Sequence, residues 1–292
     1  MKKIVLASIC IFLMLMTPHN VSGDQLSDIE SAGKIVIGMD TTYPPFEYLD
    51  GTNKIGFSVD FGKALARKLG VEAEFKTVAW ESIIPSLDLA EFDVIISSMT
   101  ITALRDETID FSRPYYNSSQ GILVAKGNPL GIVDETDLDD SEVTIGVQTG
   151  TTSDIWATAN ASSATLVKLA NFDELYLKLD NGEVDVILGD FPVIAYAANQ
   201  GQTSGVVIGT FGSAEQFGVG IREGEPSLLN AINTAIDVML IDGTYDEVFD
   251  AWFGPASADD DDGDDAPFDV IPVIGTLIFI TSVVTVHRRR KK

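Results

Sequence analysis

In the middle of the chain, short continuous runs of apolar residues alternate with segments in which apolar residues recur every three or four positions, as on one face of a helix. Residues 35–37 and 94–96 are short apolar runs and predict buried strands. Positions 57, 61, 65 and 69 place an apolar stripe on one helix face, which Gly70 ends. Further helices are expected at 83–89, 228–240 and 245–252. The alternation predicts an α/β protein built on open sheets.

This pattern occurs twice. Residues 34–39 (KIVIGM) resemble 142–147 (EVTIGV), and residues 91–98 resemble 183–190, where an Asp-Val-Ile strand again ends on polar groups. Two such units facing each other would form a cleft between the carboxyl ends of their strands. Chance similarity between two α/β units is the alternative.

The strand at 94–96 runs directly into Ser97, Ser98 and Thr100, and Arg105 follows. Ligands of open α/β sheets bind outside the carboxyl ends of the strands. Hydroxyl groups accept from an ammonium or donate to a carboxylate, and arginine holds a carboxylate with two parallel hydrogen bonds. The group therefore suits a zwitterion, and a polar connection with a surface arginine is the alternative.

The composition narrows the function classes. The chain of 292 residues has room for two domains, and 44 acidic against 19 basic residues give a net charge of −25. A nucleic-acid partner is not expected, because phosphate binding needs clustered Lys and Arg. Cys10, in the leader region, is the single cysteine, and His19 and His287 are the two histidines. Neither a disulfide, a metal site nor any other cofactor is therefore expected.

The two ends predict export. Residues 1–23 have a basic start, an apolar stretch and small residues at the end, which is typical of a signal peptide; an uncleaved anchor is the alternative. Residues 24–33 form a lead-in to the body, and residues 255–267 are an acidic spacer expected to be disordered.

The segment 268–287 contains 17 mostly apolar residues, 270–286, which would span roughly 25 Å as a helix, the short limit for a membrane span. Residues 288–292 are basic and would stay in the cytoplasm. We therefore expect the body to be tethered to the outer face of the cytoplasmic membrane, in a cell without an outer membrane. A sorting signal removed by processing is the alternative.

The body is expected to divide into two lobes. Lobe 1 comprises residues 34–120 and 217–254, and lobe 2 comprises 121–216. Because the extended stretches 121–126 and 216–221 would connect them, we expect hinge positions at Ala125 and Phe217.

Four blocks of sequence support a family resemblance: residues 38–46 (GMDTTYPPF), 97–112, 146–152 (GVQTGTT) and 243–254. Together they resemble the extracellular solute-binding proteins of family 3, the polar amino acid type that feeds ABC importers. The resemblance implies a type II periplasmic-binding-protein fold of two α/β lobes joined by two crossings. It also implies a monomer that binds a free amino acid and an ABC permease. Ser58 departs from the family pattern, which has an acid there.

The resemblance also implies a binding plan. Arg105 would pair with the α-carboxylate of the ligand, assisted by Thr100 and Thr152, while Asp190 and Ser98 would meet its α-ammonium. Tyr43 and Trp80 would hold the aliphatic stem, and Asp40 would face the ligand's side chain. The full set implied to bind substrate is Asp40, Tyr43, Trp80, Ser97, Ser98, Thr100, Arg105, Gln148, Thr151, Thr152 and Asp190.

Each assignment has a structural alternative. Arg105 would otherwise form a surface ion pair with Glu107, and Asp190 would cap the helix that follows it. Tyr43 and Trp80 would be core aromatics, and Asp40 would satisfy loop amides.

Three functions follow from this plan. The first is a transport binding protein for a polar amino acid, with a basic or amide side chain favoured by Asp40. The second is an enzyme on the same fold, such as a cyclohexadienyl or arogenate dehydratase or a murein-cleaving enzyme, which needs a poised acid or base in the cleft. The third is a sensory ectodomain, which needs a separate signalling partner.

Overall fold

The computed structural model describes residues 24–254. The predicted signal peptide (1–23), acidic spacer, membrane or sorting segment and basic tail lie outside the described residues. Within residues 24–254, none of the helices has the length and apolar character needed to cross a membrane.

Helices and strands alternate over most of this range. The strands are β1 (Lys34–Met39), β2 (Thr42–Tyr43), β3 (Glu47–Asp50), β4 (Asn53–Ile55), β5 (Glu72–Thr77), β6 (Val94–Ile95), β7 (Ile109–Phe111), β8 (Tyr116–Val124), β9 (Thr144–Gln148), β10 (Thr165–Leu169), β11 (Val186–Asp190), β12 (Val206–Phe217) and β13 (Gly220–Arg222). The helices are α1 (Gln25–Ala32), α2 (Phe57–Leu69), α3 (Ile83–Asp88), α4 (Ala103–Asp106), α5 (Thr152–Asn160), α6 (Phe172–Asp180), α7 (Phe191–Asn199), α8 (Pro226–Asp242) and α9 (Thr244–Phe253), with 3-10 turns at Trp80–Ser82 and Glu135–Asp137.

The strands form two five-stranded sheets, one in each lobe. The lobe 1 sheet has the order β5-β1-β6-β13-β7, and the lobe 2 sheet has the order β10-β9-β11-β8-β12. The strands β2, β3 and β4 form a small third sheet. The chain is therefore the mixed α/β protein of two open sheets that the sequence predicts.

The repeated sequence pattern corresponds to a repeated topology. In lobe 1, β1 lies between β5 and β6 and is parallel to both. In lobe 2, β9 lies between β10 and β11 and is parallel to both. In each lobe, the carboxyl end of this strand therefore points to the same edge of the sheet as the carboxyl end of β6 or β11.

The apolar stripes become helices that cover the sheets. In α2, the side chains of Phe57, Phe61 and Leu65 are fully buried, and Gly70 ends the helix in the left-handed conformation. The helices expected near 83–89, 228–240 and 245–252 are present as α3, α8 and α9. Both α8 and α9 pack on α2, so the last part of the body completes the core of lobe 1. The lead-in, for which no helix was expected, contains α1.

The two lobes are connected by the paired ends of β8 and β12. Tyr116 is paired with Phe217, and Ser118 with Glu215, where the strands pass from the lobe 2 sheet towards lobe 1. Phe217 is fully buried in the lobe 1 core, next to this crossing. Ala125, the other expected hinge position, follows the end of β8 that is distant from this crossing, and its N–H donates to the Asp185 carbonyl.

A close backbone contact fixes the loop that carries the small sheet. The N–H groups of Phe57 and Ser58 in the first turn of α2 donate to the carbonyls of Pro45 and Phe46. Gly56, just before the helix, has φ 127°, and a Cβ atom there would lie 2.1 Å from the Phe46 oxygen. Only glycine allows this approach, which holds β3 and its first residue, Glu47, against the lobe 1 sheet.

We expect Gly56→Ala to lower the free energy of unfolding by about 3 kcal/mol, because it combines a strained φ with a backbone clash. Gly51→Ala is the matched control, since Gly51 also has a positive φ but has open space where the methyl group would be added. The control should cost only about 1 kcal/mol. Urea unfolding of the two variants measures the difference, and equal losses would contradict the close-contact explanation.

Candidate ligand-binding site

A cleft lies between the lobes, at the carboxyl ends of the strands. Its empty volume is about 330 Å³, counted out to its open mouth. The side chains that line it are Asp40, Tyr43, Glu47, Trp80, Ser97, Ser98, Thr100, Arg105, Gln148, Thr151, Thr152 and Asp190. The structure thus brings together all eleven residues implied by the family resemblance and adds Glu47.

Arg105 is buried at the floor of the cleft. It is 9% exposed, and its Nη1 and Nη2 donate to the carbonyl of Thr100 at 2.8 Å and of Gly150, in the other lobe, at 3.3 Å. Its Cζ lies 5.1 Å from the Trp80 ring centroid, in cation–π range. Burial lowers the pKa of the guanidinium, and the charges of Glu215 and Asp190 oppose this shift. The side chain is therefore turned into the cleft and away from the exposed Glu107.

Asp190 is the last residue of β11 in lobe 2, and it faces lobe 1 across the cleft. It is 6% exposed and accepts from the Tyr43 hydroxyl at 2.5 Å, from Gln120 Nε2 at 2.8 Å and from Ser118 Oγ at 3.3 Å. Although α7 begins at the next residue, the Asp190 side chain makes no capping hydrogen bond. Burial raises the pKa of this carboxyl to about 7, and the hydrogen bond from Tyr43 opposes the shift.

Asp40 forms a second contact between the lobes. Its Oδ1 accepts from Thr42 Oγ1 at 2.9 Å, and its Oδ2 accepts from Gln148 Nε2 of lobe 2 at 3.3 Å. Burial raises the pKa of Asp40, whereas the hydrogen bonds from Thr42 and Gln148 oppose the shift. Asp40 thus accepts a hydrogen bond from the loop that follows it, and it also lines the cleft.

Sequence reasoning missed Glu47, a carboxyl group that is 0% exposed. It accepts from Ser98 Oγ at 3.1 Å and from Ser97 Oγ at 3.3 Å. Burial raises the pKa of Glu47 well above its usual value, with these hydroxyls opposing the shift. Glu47 begins β3 directly after the Pro-Pro-Phe loop, and this position gives no local signal of its burial.

Ser98 holds an uncommon backbone conformation next to Glu47. Its φ is 50°, in the left-handed region that a non-glycine residue rarely adopts. Strained residues of this kind cluster at ligand sites, where the surrounding contacts hold them.

The hydroxyls of lobe 2 have defined partners. Thr151 caps α5 by accepting from the Asp154 N–H and donates to the Gln148 carbonyl at 2.8 Å. Thr152 Oγ1 donates to Glu215 at 3.1 Å, and Thr100 Oγ1 of lobe 1 donates to the same oxygen at 2.7 Å. The amino terminus of α5 also faces the cleft, a position that favours an anionic group.

Strand β8 supplies the side chains that donate to Asp190 from behind the cleft lining. Ser118 and Gln120 are buried polar residues at alternate positions on a strand that becomes apolar from residue 121 to 124. This period-two pattern of polar residues was the signal available in the sequence. Neither residue was identified, and neither was Glu215 on the neighbouring strand.

The two aromatic residues of the binding plan differ in their surroundings. The Tyr43 ring centroid lies 5.5 Å from that of Phe172 in lobe 2 and 6.4 Å from that of Phe46, so Tyr43 packs between the lobes. Trp80 is half-buried in a 3-10 turn beneath Arg105. Both rings line the cleft, and both also pack against the buried core of their surroundings.

The arrangement presents one buried cation and three buried carboxyl groups to a single small space. Residues 24–254 contain no cluster of three or more His, Cys, Asp or Glu side chains arranged to hold a metal ion. Because Arg105 and Asp190 belong to different lobes, a molecule with opposite charges on neighbouring atoms could bind both and keep the lobes together.

Known proteins are similar to this chain in sequence and in fold. The sequence profile of the bacterial extracellular solute-binding proteins, family 3, matches residues 35–255. The L-cystine-binding protein TcyJ of Escherichia coli (strain K12) is 34% identical over 230 residues, which cover 78% of this chain and 86% of that protein.

Two solved structures are similar. The ancestral amino acid-binding protein AncCDT-1, described as a precursor of cyclohexadienyl dehydratase, is 38% identical with a TM-score of 0.74, covering 79% of this chain and 99% of that one. An ancestral arginine-binding protein bound to arginine is 37% identical with a TM-score of 0.72, covering 76% and 99%.

We expect the raised pKa of Asp190 to make folding stability depend on pH. The folded carboxyl holds its proton up to about pH 7, whereas the unfolded one releases it near its usual value of 3.8. The folded state therefore binds more protons in this window, so the free energy of unfolding falls as pH rises from about 4 to 7, by up to about 1.4 kcal/mol per pH unit.

Urea unfolding at pH 5, 6, 7 and 8 measures this slope. Asp190→Asn should flatten it, while Asp173→Asn, which changes an exposed carboxylate of lobe 2, should keep the wild-type slope. An unchanged slope in Asp190→Asn would show that this carboxyl titrates normally.

Proposed function

The chain belongs to family 3 of the bacterial extracellular solute-binding proteins, and we propose that it binds one free amino acid in the cleft and delivers it to the permease of an ABC importer. The observation on which this rests is that the buried Arg105 guanidinium and the buried Asp190 carboxyl group lie on facing lobes of one small cleft. The α-carboxylate of the ligand pairs with Arg105, and its α-ammonium pairs with Asp190.

Binding and closure are linked by this division of charge. A ligand that contacts both lobes favours the closed form by the difference in its affinity for the two forms. A molecule that lacks either charge leaves a buried ion without a partner, at a cost of several kcal/mol. The permease then recognises the closed, loaded form.

The remaining carboxyl groups favour a basic side chain. Once a zwitterion has neutralised Arg105 and Asp190, Asp40 and Glu47 remain in the cleft. The raised pKa of the fully buried Glu47 favours its neutral form, which leaves the charge of Asp40 for the ligand's side chain. The similar ancestral protein bound to arginine supports this assignment. An amide side chain, which donates to Asp40 without a charge, is the second choice.

The lobe boundaries and the hinge are part of the proposal. Lobe 1 comprises about residues 34–120 and 217–254, and lobe 2 comprises 121–216. The lobes rotate about Phe217 and the paired residues beside it, Tyr116 to Ser118 and Glu215, where the two crossing strands remain hydrogen-bonded. The protein acts as a monomer, because one chain supplies both halves of the cleft.

The cellular location follows from family membership and the sequence ends. The family is extracellular, and residues 1–23 have the layout of a signal peptide. Residues 268–287 would anchor the body on the outer face of the membrane, unless processing removes them as a sorting signal.

An enzyme on this fold is the competing function. It is favoured by the similarity to a precursor of cyclohexadienyl dehydratase and by Asp190, whose pKa of about 7 suits a general acid. Its hydrogen bonds to Tyr43, Gln120 and Ser118 are equally those of an ammonium site, and the named relatives are binding proteins. Turnover of prephenate or arogenate by the pure protein would establish the enzyme, and a sensory role ranks last.

Arg105→Ala should weaken amino acid binding at least about 30-fold, because the buried α-carboxylate loses its charged partner. Isothermal titration with arginine, lysine, glutamine and the other common amino acids measures this. Arg113→Ala, which removes a half-exposed arginine of lobe 1, should bind as the wild type does. A panel in which no amino acid binds the wild type would refute the proposed function.

Asp40→Asn should weaken binding of arginine and lysine about tenfold more than binding of glutamine, since only the charged side chains lose an ionic partner. The same titrations give this ratio. Glu81→Gln, which neutralises an exposed acid next to Trp80, should leave the ratio unchanged. Equal weakening of charged and neutral ligands would remove Asp40 from the specificity site.

A further inference from the structure

Glu215 lies at an irregularity where β12 leaves lobe 2. The register between β12 and β8 shifts between Phe211, paired with Gln120, and Glu215, paired with Ser118. Bulges of this kind bend a strand and redirect its side chains, often next to functional sites. Here the half-buried Glu215 carboxylate is turned towards the cleft floor, behind the residues that line it.

One oxygen of Glu215 contacts both lobes. Oε2 accepts from Thr100 Oγ1 of lobe 1 at 2.7 Å and from Thr152 Oγ1 of lobe 2 at 3.1 Å. Thr100 follows the carboxyl end of β6, and Thr152 is the first residue of α5. The two bonds can exist together only while these two elements, one from each lobe, lie close to the crossing.

The direction of the hydrogen bonds is fixed by their neighbours. Ser153 Oγ donates to Gln120 Oε1, so the amide nitrogen of Gln120 points to Asp190 and to Thr152 Oγ1, at 3.1 Å. A threonine hydroxyl has one hydrogen. Because Thr152 accepts from Gln120, its own hydrogen is directed to Glu215.

We propose that Glu215 is a positioning residue that holds the two lobes together at the hinge side of the cleft, by accepting hydrogen bonds from Thr100 and Thr152 at once. This inference rests on the proposed function in taking the cleft as the amino acid site. The family resemblance implies that the two hydroxyls assist in binding the ligand's α-carboxylate. Under this proposal they instead orient the lobes, and Arg105 binds the α-carboxylate.

The charge of Glu215 has a second effect. It lies near enough to Arg105 to oppose the loss of the guanidinium charge caused by burial, and it adds to the raised pKa of Asp190. The carboxylate therefore helps to keep the cation of the cleft charged while holding the lobes in the closed arrangement.

The closed form can be measured without any ligand. Labels on cysteines introduced at Leu89 of lobe 1 and Leu177 of lobe 2, which are 74% and 64% exposed, report the distance between lobes by pulsed electron resonance. The full chain carries Cys10→Ser, so that the introduced thiols are the only ones. The protein is unfolded, dialysed and refolded to remove any bound amino acid before the measurement.

We expect the ligand-free wild type to show a short-distance population that Glu215→Ala reduces about tenfold, in line with the loss of hydrogen bonds to a charged group. Glu215→Gln keeps a neutral acceptor and should give an intermediate population. Glu223→Ala, which removes an exposed carboxylate just after β13, is the control for charge and should match the wild type.

Binding of arginine, measured by titration, should weaken in Glu215→Ala in proportion to the lost closed population. Wild-type distances in either the alanine or the glutamine variant would overturn the proposal. Tighter binding by Glu215→Ala would also overturn it, because Glu215 would then compete with the α-carboxylate for the hydroxyls. If no amino acid binds the wild type but Glu215→Ala still opens the lobes, the positioning role stands and the proposed function fails.

Discussion

The desolvation of charged groups where the lobes meet constrains this structure more than any other interaction. Arg105, Asp40, Glu47 and Asp190 are all at most 9% exposed, and a buried charge without partners costs several kcal/mol. Each is therefore surrounded by hydroxyl, amide or carbonyl groups. Several of these come from the opposite lobe, as Tyr43 does for Asp190, so the polar network itself defines how the lobes meet.

The sequence predicted the composition of the site better than its internal contacts. All eleven residues that the family resemblance implies line the cleft, and most of them follow the carboxyl ends of strands, where ligands of open sheets bind. Glu47 was missed because an acid after two prolines is typical of an exposed loop. Its burial depends on the contact between Gly56 and the Phe46 carbonyl, which joins parts of the chain that no local pattern connects.

Contacts between residues distant in sequence also determine two other features that the sequence left open. The sequence left open whether Asp190 caps a helix or faces a ligand, and only the positions of Tyr43 and Gln120, distant in sequence, decide where its oxygens point. Likewise, the apolar run that follows Gln120 does not by itself indicate at which end of β8 the chain crosses between the lobes. The pairing of Tyr116 with Phe217 identifies the end that crosses. In the same way, residue types predicted the hydroxyls of Thr100 and Thr152 but not the direction in which they donate.

The place of β13 in the lobe 1 sheet determines the order in which the lobes can be completed. This strand lies between β6 and β7, yet it is formed by residues 220–222, near the end of the body. Every strand of the lobe 2 sheet lies within residues 116–217, so that sheet can form as soon as this segment has been synthesised. The lobe 1 sheet stays incomplete between β6 and β7 until β13 has been synthesised. Pairing between strands so far apart in the sequence is slow. The lobe that begins first along the chain is the one that is finished last.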